Sequence, residues 1–244
     1  MIGVYSDPEA LSLAAAELVA AEAQRAVRER GRFAVALSGG NTPRRMYELL
    51  ARDPFRKGVP WPKTHIFWGD ERCVATDDPR NNARMACETL LDHVSVPPDQ
   101  VHPMACGSDP RESAREYETL LRGLFPGALP RFDLILLGLG ENGHTASLFP
   151  GVPVLEERRR WVAEASPAGE EVQRLTLTLP VINSAACVAF LVSGAAKAPI
   201  LREVLEGDPD PRRVPARLVS PEGRLFWLVD RAAARLLRSA VSEA

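Results

Sequence analysis

One imidazole, two glycine-rich turns and a short string of charges have the types and spacing to do chemistry in this chain. His144, one of four histidines, follows Gly138-Leu139-Gly140-Glu141-Asn142-Gly143, directly after the apolar run at 132–137. An imidazole titrates near neutral pH, so it is suited to taking a proton from water. Gly138, Gly140 and Gly143 let the backbone turn sharply and approach a ligand closely. A structural histidine held in a tight turn has the same local signature, so the other motifs must decide between the two.

A second apolar run, at 33–37, ends in Ser38-Gly39-Gly40-Asn41-Thr42-Pro43. A strand, a glycine turn and a helix start present unpaired N–H groups and the positive end of the helix dipole, which together bind phosphate. A tight turn capped by Asn41 or Thr42, with Pro43 at the first helical position, fits the same residues. There is no G-K-[ST] ending, so this is not a nucleotide P-loop. Trp68-Gly69-Asp70-Glu71-Arg72 sets three consecutive charges at a strand end, where they are expected outside the core. Arg72 can grip a phosphate through two parallel N–H bonds, Asp70 can accept from sugar hydroxyls or orient a neighbour, and Glu71 suits an internal ion pair. Of the 30 basic residues only Lys57, Lys63 and Lys197 are lysines. Lys197 follows Ser193-Gly194-Ala195-Ala196 in what reads as a first helical turn. A cation is disfavoured there unless an anion sits nearby.

The elements that must position these groups alternate. Ser6-Asp7-Pro8 reads as a cap with proline in the first turn of a long Ala-rich helix ending at Gly31. Strands are expected over 33–37, 65–69, 132–137, 175–179, 187–192 and 225–229, and helices over 43–51, 81–91 and 110–121 and after the later strands. Thr145 is expected to cap a short helix that Pro150 and Gly151 end. This alternation predicts an α/β protein, a mainly parallel sheet covered on both faces, with ligands at the carboxyl ends of the strands. The proline-rich pieces at 97–110 and 207–221 read as loops within one domain spanning 1–244.

Composition excludes several classes. A net charge of -2 and a pI near 6.1 give no broad basic surface for nucleic acid or anionic membrane. No apolar stretch approaches the roughly 18 residues that span a bilayer, and no secretory signal opens the chain, so the cytoplasm is expected. Cys73, Cys87, Cys106 and Cys187 are widely spaced, which predicts reduced, packed thiols and neither a zinc site nor a disulfide framework. Residues 138–143 spell G-x-G-x-x-G, but Pro150, Gly151 and Pro153 interrupt the crossover helix a dinucleotide site needs. A G-x-S-x-G serine elbow is absent.

Taken in order, SGGNTP, GDER, NNARMA, GLGENGHTASLFPG, SGAAKA and PEGRLFWLVDRAA resemble the 6-phosphogluconolactonase family, within the glucosamine/galactosamine-6-phosphate isomerase superfamily. The resemblance covers nearly the whole chain, and GHTASLFPG combined with GDER is its most specific part. Deaminases of the superfamily typically carry DEY and F-N-E-P, where this chain has Arg72 and Ser147-Leu148-Phe149-Pro150. The resemblance implies a single three-layer α/β/α Rossmann-like domain that opens 6-phosphoglucono-1,5-lactone in the oxidative pentose phosphate pathway. It implies His144 as base, with Asp70 in the catalytic set. The implied substrate ligands are Ser38, Gly39, Gly40, Asn41, Thr42, Arg72, Asn82, Gly140, Asn142 and Lys197. No metal or cofactor is implied; the partner is a phosphorylated sugar lactone, and the protein is expected as a monomer or small homo-oligomer. Family members commonly carry Asp where this chain has Asn142, so either Asp70 supplies a charge to the base or a neutral group orients it. A glucosamine-6-phosphate deaminase or isomerase and a non-catalytic sugar-phosphate sensor are the alternative readings.

Overall fold

The computed structural model describes residues 1–238 except 128, 168, 170 and 209; residues 239–244 of the expected 1–244 domain lie outside the described residues. After β1 (Ile2–Tyr5), the Asp7 carboxylate accepts the Ala10 N–H and starts α1 (Pro8–Arg30), which stops where Gly31 turns left-handed at φ 75°. That glycine supplies the conformation other residues resist. Leu11, Ala15, Val19, Ala23 and Ala26 recur at helical spacing and are buried, so α1 lays its small-residue stripe on the core. The wholly buried β2 (Phe33–Leu37) leads into α2 (Asn41–Leu50), the single turn α3 (Phe55–Gly58) and β3 (Thr64–Trp68). Then come β4 (Asp70–Arg72), α4 (Asn82–Thr89), α5 (Pro110–Leu124) and β5 (Leu134–Leu137). The remainder supplies β6 (Val162–Ala165), β7 (Arg174–Leu177), α6 (Leu179–Asn183), β8 (Cys187–Val192), α7 (Ala198–Glu206), β9 (Arg224–Asp230) and α8 (Arg231–Ala234).

Six strands pair in the order β1-β9-β8-β5-β2-β3, every pairing parallel, with helices on both sides. The α/β expectation holds. From β2 the chain steps outward to β3; from β5 it steps the other way, to β8 and β9. The neighbours β2 and β5 therefore flank a topological switch point, where connections diverge and leave a crevice at the strand ends. The two glycine turns, 38–40 and 138–143, leave the sheet at these two strands.

A second, antiparallel sheet, β4-β7-β6, was not foreseen as such. The strand expected at 175–179 is β7, ending where Leu179 opens α6. The short β1, β4 and β6 escaped the sequence reading, β4 because its charges disguised it. Contrary to expectation Asp70 and Glu71 are buried, at 7% and 1% exposure. Each is satisfied: Asp70 Oδ2 accepts from Ser147 Oγ at 2.7 Å, and Glu71 accepts from the N–H groups of Arg72, Asn82 and Ala83 at 2.8–2.9 Å. Glu71 thus sits on the N-terminus of α4, held by backbone N–H groups and in no ion pair among the described residues, and burial pushes its carboxyl up to about 7.

Two further expectations are corrected. Cys73 and Cys106 form a disulfide, which no motif spacing announced, because the fold brings their Cα atoms to 5.0 Å across a 33-residue separation. Cys187 is a buried thiol and Cys87 a half-buried one, as expected. Thr145 caps no helix: its hydroxyl donates to Gly138 O at 2.8 Å, and Leu148 N–H donates to Thr145 O at 2.9 Å. Ala146 at φ 46° closes this segment as a tight turn.

Candidate active site

Three segments are pinned before they meet. The turn after β2 is held by Tyr47 of α2, whose hydroxyl donates to Ser38 O at 2.8 Å and accepts Ser38 N–H at 3.1 Å. Burial pushes the Tyr47 hydroxyl pKa well above its ordinary value. Gly40 occupies the N-cap of α2 at φ 104° with no side-chain cap, so neither Asn41 nor Thr42 caps this helix and Pro43 is its third residue, not its first. The turn after β8 is held by Asp230, which accepts from Ser193 Oγ at 2.6 Å and from the N–H groups of Gly194 and Ala233. Lys197 ends a short 3-10 turn there and stands at the start of α7, one residue ahead of the first helical turn expected for it. Between these segments β4 and β7 pair Asp70 with Thr176 and Arg72 with Arg174. Residues directly opposite across an antiparallel pair share a face, as do alternate residues along a strand. One face of this sheet therefore presents Asp70, Arg72, Arg174 and Thr176 together.

These segments enclose a cavity of about 210 Å³. Of the residues expected in the site, Ser38, Gly39, Asp70, Arg72, Asn82, Gly140, His144 and Lys197 line it. Gly40, Asn41 and Thr42 lie beside it at the start of α2, and Asn142 reaches it through His144. Arg72 donates to Asn82 Oδ1 and to Arg80 O at 3.0 Å, while Asn82 Nδ2 donates to Asp70 O at 3.0 Å. A Cβ at Gly39 would collide with the Asn82 amide, so that position admits only glycine while Asn82 holds Arg72.

His144 is fixed from three sides. Its Nδ1 lies 2.5 Å from Asn142 Oδ1, which also accepts the His144 N–H at 3.2 Å. A carbonyl oxygen cannot donate, so Nδ1 carries a proton, and whenever the ring is neutral Nε2 is the nitrogen that holds the lone pair. The ring stacks on Phe149, and a Cβ at Gly140 would strike Nδ1. The acceptor on Nδ1 is thus the neutral Asn142, while Asp70 Oδ2 is engaged by Ser147.

The cations Arg72, Arg174 and Lys197 converge on the cavity; Glu141 lies 3.9 Å from Lys197 at the rim. Arg174 was missed by the sequence reading because its strand was begun one residue late. The alternation of Arg174, Thr176 and Thr178 with leucines is the signal that would have found it. Among the described residues no group of three or more His, Cys, Asp or Glu side chains is arranged to hold a metal ion. No helix there is long and apolar enough to cross a membrane. A base and three cations around one small polar cavity can activate water beside a bound anion.

Comparison with known proteins agrees in sequence and in shape. The family model described as glucosamine-6-phosphate isomerases/6-phosphogluconolactonase matches residues 6–227. A 6-phosphogluconolactonase of Synechocystis is 47% identical over 218 residues, 88% of each chain. One from Rattus norvegicus is 39% identical over 97% of this chain and 93% of its own. The solved structure of 6-phosphogluconolactonase from Trypanosoma cruzi superposes with a TM-score of 0.87 at 30% identity, covering 98% of this chain and 97% of that one. The chain belongs to the glucosamine-6-phosphate isomerase/6-phosphogluconolactonase family.

Proposed function

We propose that the chain, acting as one domain, hydrolyses 6-phosphoglucono-1,5-lactone to 6-phosphogluconate. The observation that carries this reading is a histidine with Nδ1 satisfied by Asn142 in the same 210 Å³ cavity as three cations. Arg72, Arg174, Lys197 and the turn Ser38-Gly39-Gly40 at the start of α2 hold the phosphate, with Asn41 and Thr42 completing that turn. Asn82 keeps Arg72 in place. Asp70 and Ser147 shape the wall, and Gly140 leaves room for the base.

Water bound against His144 Nε2 loses a proton to the ring as its oxygen attacks the lactone carbonyl carbon. The tetrahedral intermediate then expels the ring oxygen, which takes the proton back from the imidazolium. One water is consumed, one C–O bond is broken and one acid is formed. In the glycine turn at 138–143 the N–H groups of Gly140 and Gly143 already donate to His144 O at 2.9 Å and to Gly140 O at 3.0 Å, so neither serves as a donor to the oxyanion. General-base assistance of this kind is worth about 10²–10⁴-fold. The test is hydrolysis of freshly made 6-phosphoglucono-δ-lactone, corrected for spontaneous opening, by wild type and His144→Ala. Turnover that falls by about 10²-fold or more in the variant supports the reading. Near wild-type turnover in the variant removes His144 as base, and ammonia release from glucosamine 6-phosphate would replace the lactonase with a deaminase.

A further inference from the structure

Phe149 has no group that can take part in acid–base chemistry and does not itself line the cavity, yet it contacts two side chains that do, His144 and Arg174. Its ring centroid lies 4.1 Å from that of His144 with the planes 22° apart, and the Arg174 guanidinium carbon lies 5.1 Å over the same ring. Phe149 is only 5% exposed, so its own position is fixed by the core. The tight turn at 145–148, with Ala146 at φ 46°, folds the chain back so that Phe149 lies against the histidine that precedes it. A left-handed residue without glycine is costly, and such strain is kept where it places something.

We propose that Phe149 is a positioning residue: it sets the plane of the His144 imidazole and the place of the Arg174 guanidinium together, fixing the span between the base and the anion anchor. This rests on the lactonase reading above. The hydrogen bond from Nδ1 to Asn142 alone leaves the ring able to rock about that bond; a stacked aromatic plane removes the rocking. Arg174 has a long side chain with many rotamers, and a ring beneath the guanidinium narrows them. The phosphate and the lactone carbonyl of the substrate are a fixed distance apart along the sugar. A base and an anchor referenced to one rigid ring accept that length and discriminate against a substrate lacking the phosphate. Asn142 touches the His144 ring but neither arginine, and Asn82 touches Arg72 and Asp70 but not the ring; Phe149 couples the two functions.

Phe149→Leu keeps an apolar side chain but removes the ring, and Phe149→Tyr restores the ring. Turnover is measured on 6-phosphoglucono-δ-lactone and on unphosphorylated glucono-δ-lactone, with melting temperature followed in parallel. A misplacement of about 1 Å at a reacting group costs about 10²-fold. Phe149→Leu is therefore expected to lose about 10–10²-fold in kcat and to shrink the preference for the phosphorylated lactone about tenfold, and Phe149→Tyr to recover both. Wild-type kcat and preference in Phe149→Leu overturn the proposal. So does equal loss in Leu and Tyr variants at unchanged melting temperature, because stacking is then not the cause. Should Phe149→Leu fail to fold, the ring protons of His144, assigned by their absence in His144→Ala, decide: an upfield ring-current displacement supports the stack, and its absence in wild type overturns it. Wild type that fails to turn over the lactone overturns the lactonase reading itself, an outcome distinct from a normal Phe149→Leu enzyme.

Discussion

Asn142→Asp changes one atom type in the site and should move the acidic limb of the pH profile upward. The side chains are nearly isosteric, so Oδ1 keeps its place 2.5 Å from His144 Nδ1. What changes is a full negative charge beside the ring, which stabilises the imidazolium and leaves the neutral form almost untouched. Two unit charges about 4 Å apart interact by about 1 kcal/mol in water and about 4 kcal/mol at an effective dielectric of 20. Asn142 is exposed and His144 half-buried, so the water-like end applies. At 1.36 kcal/mol per pH unit, an interaction of about 1–1.5 kcal/mol raises the base by about one unit. In the proposed mechanism catalysis needs the neutral ring, so the variant is expected to lose activity about one unit sooner as pH falls. The assay is kcat/KM for the phosphorylated lactone from pH 5 to 8, after subtracting spontaneous hydrolysis. Added salt should shrink the difference, because the new charge is solvent-exposed. A limb that stays put refutes the contact between position 142 and the base; a limb that moves down refutes the sign of the argument.

Gly39→Ala drives a Cβ into the Asn82 amide and so displaces the group that holds Arg72. It is expected to raise KM for the phosphorylated lactone by about tenfold, the value of roughly one lost hydrogen bond to a charge, with little change on the unphosphorylated compound. His102 and His65, whose rings lie 3.3 Å apart at His65 Nδ1 and His102 Nε2, both have pKa values lowered chiefly by burial. The folded protein then binds fewer protons than the unfolded chain just below pH 6.5. Their contribution to stability is present above pH 6.5 and is lost as pH falls through the folded values. The melting temperature should therefore drop on acidification below pH 6.5, and less in His102→Phe, which keeps the stack on Phe67; parallel curves for the two proteins would refute this.

Much of the candidate site, as a set of residues around one cavity, was legible because local rules write it into the sequence. Asp7 and Gly31 bracket α1 by capping chemistry alone, and both glycine turns announced themselves next to buried strands. His144, Arg72 and Lys197 were readable because each is a rare or conspicuous residue at a strand end. Arg174 was not, because the strand was begun one residue late although the alternation with Thr176 and Thr178 includes it; only its pairing with Arg72 is invisible along a single strand. Glu71 read as a partner in an internal ion pair outside the core because the N–H groups that satisfy it belong partly to α4, 11 and 12 residues downstream. The hold of Tyr47 on Ser38 and the Cys73–Cys106 bond are likewise tertiary facts that no spacing encodes.

The pairing of β4 with β7 also carries the sign of the cavity. Side-chain direction alternates residue by residue, so a slip of one position in this three-residue strand would bring Glu71 or Cys73 to the place of Arg72. That part of the cavity wall would lose its cation without a single mutation. Cys73, the next residue after Arg72, extends the ladder by donating to Gln173 O at 2.8 Å and is covalently tied to Cys106. A slip of one residue means about 3.3 Å of travel, and the bond makes the segment at 106 travel too. The crosslink thus acts as a stop on a ratchet, guarding which charge the strand shows to the cavity.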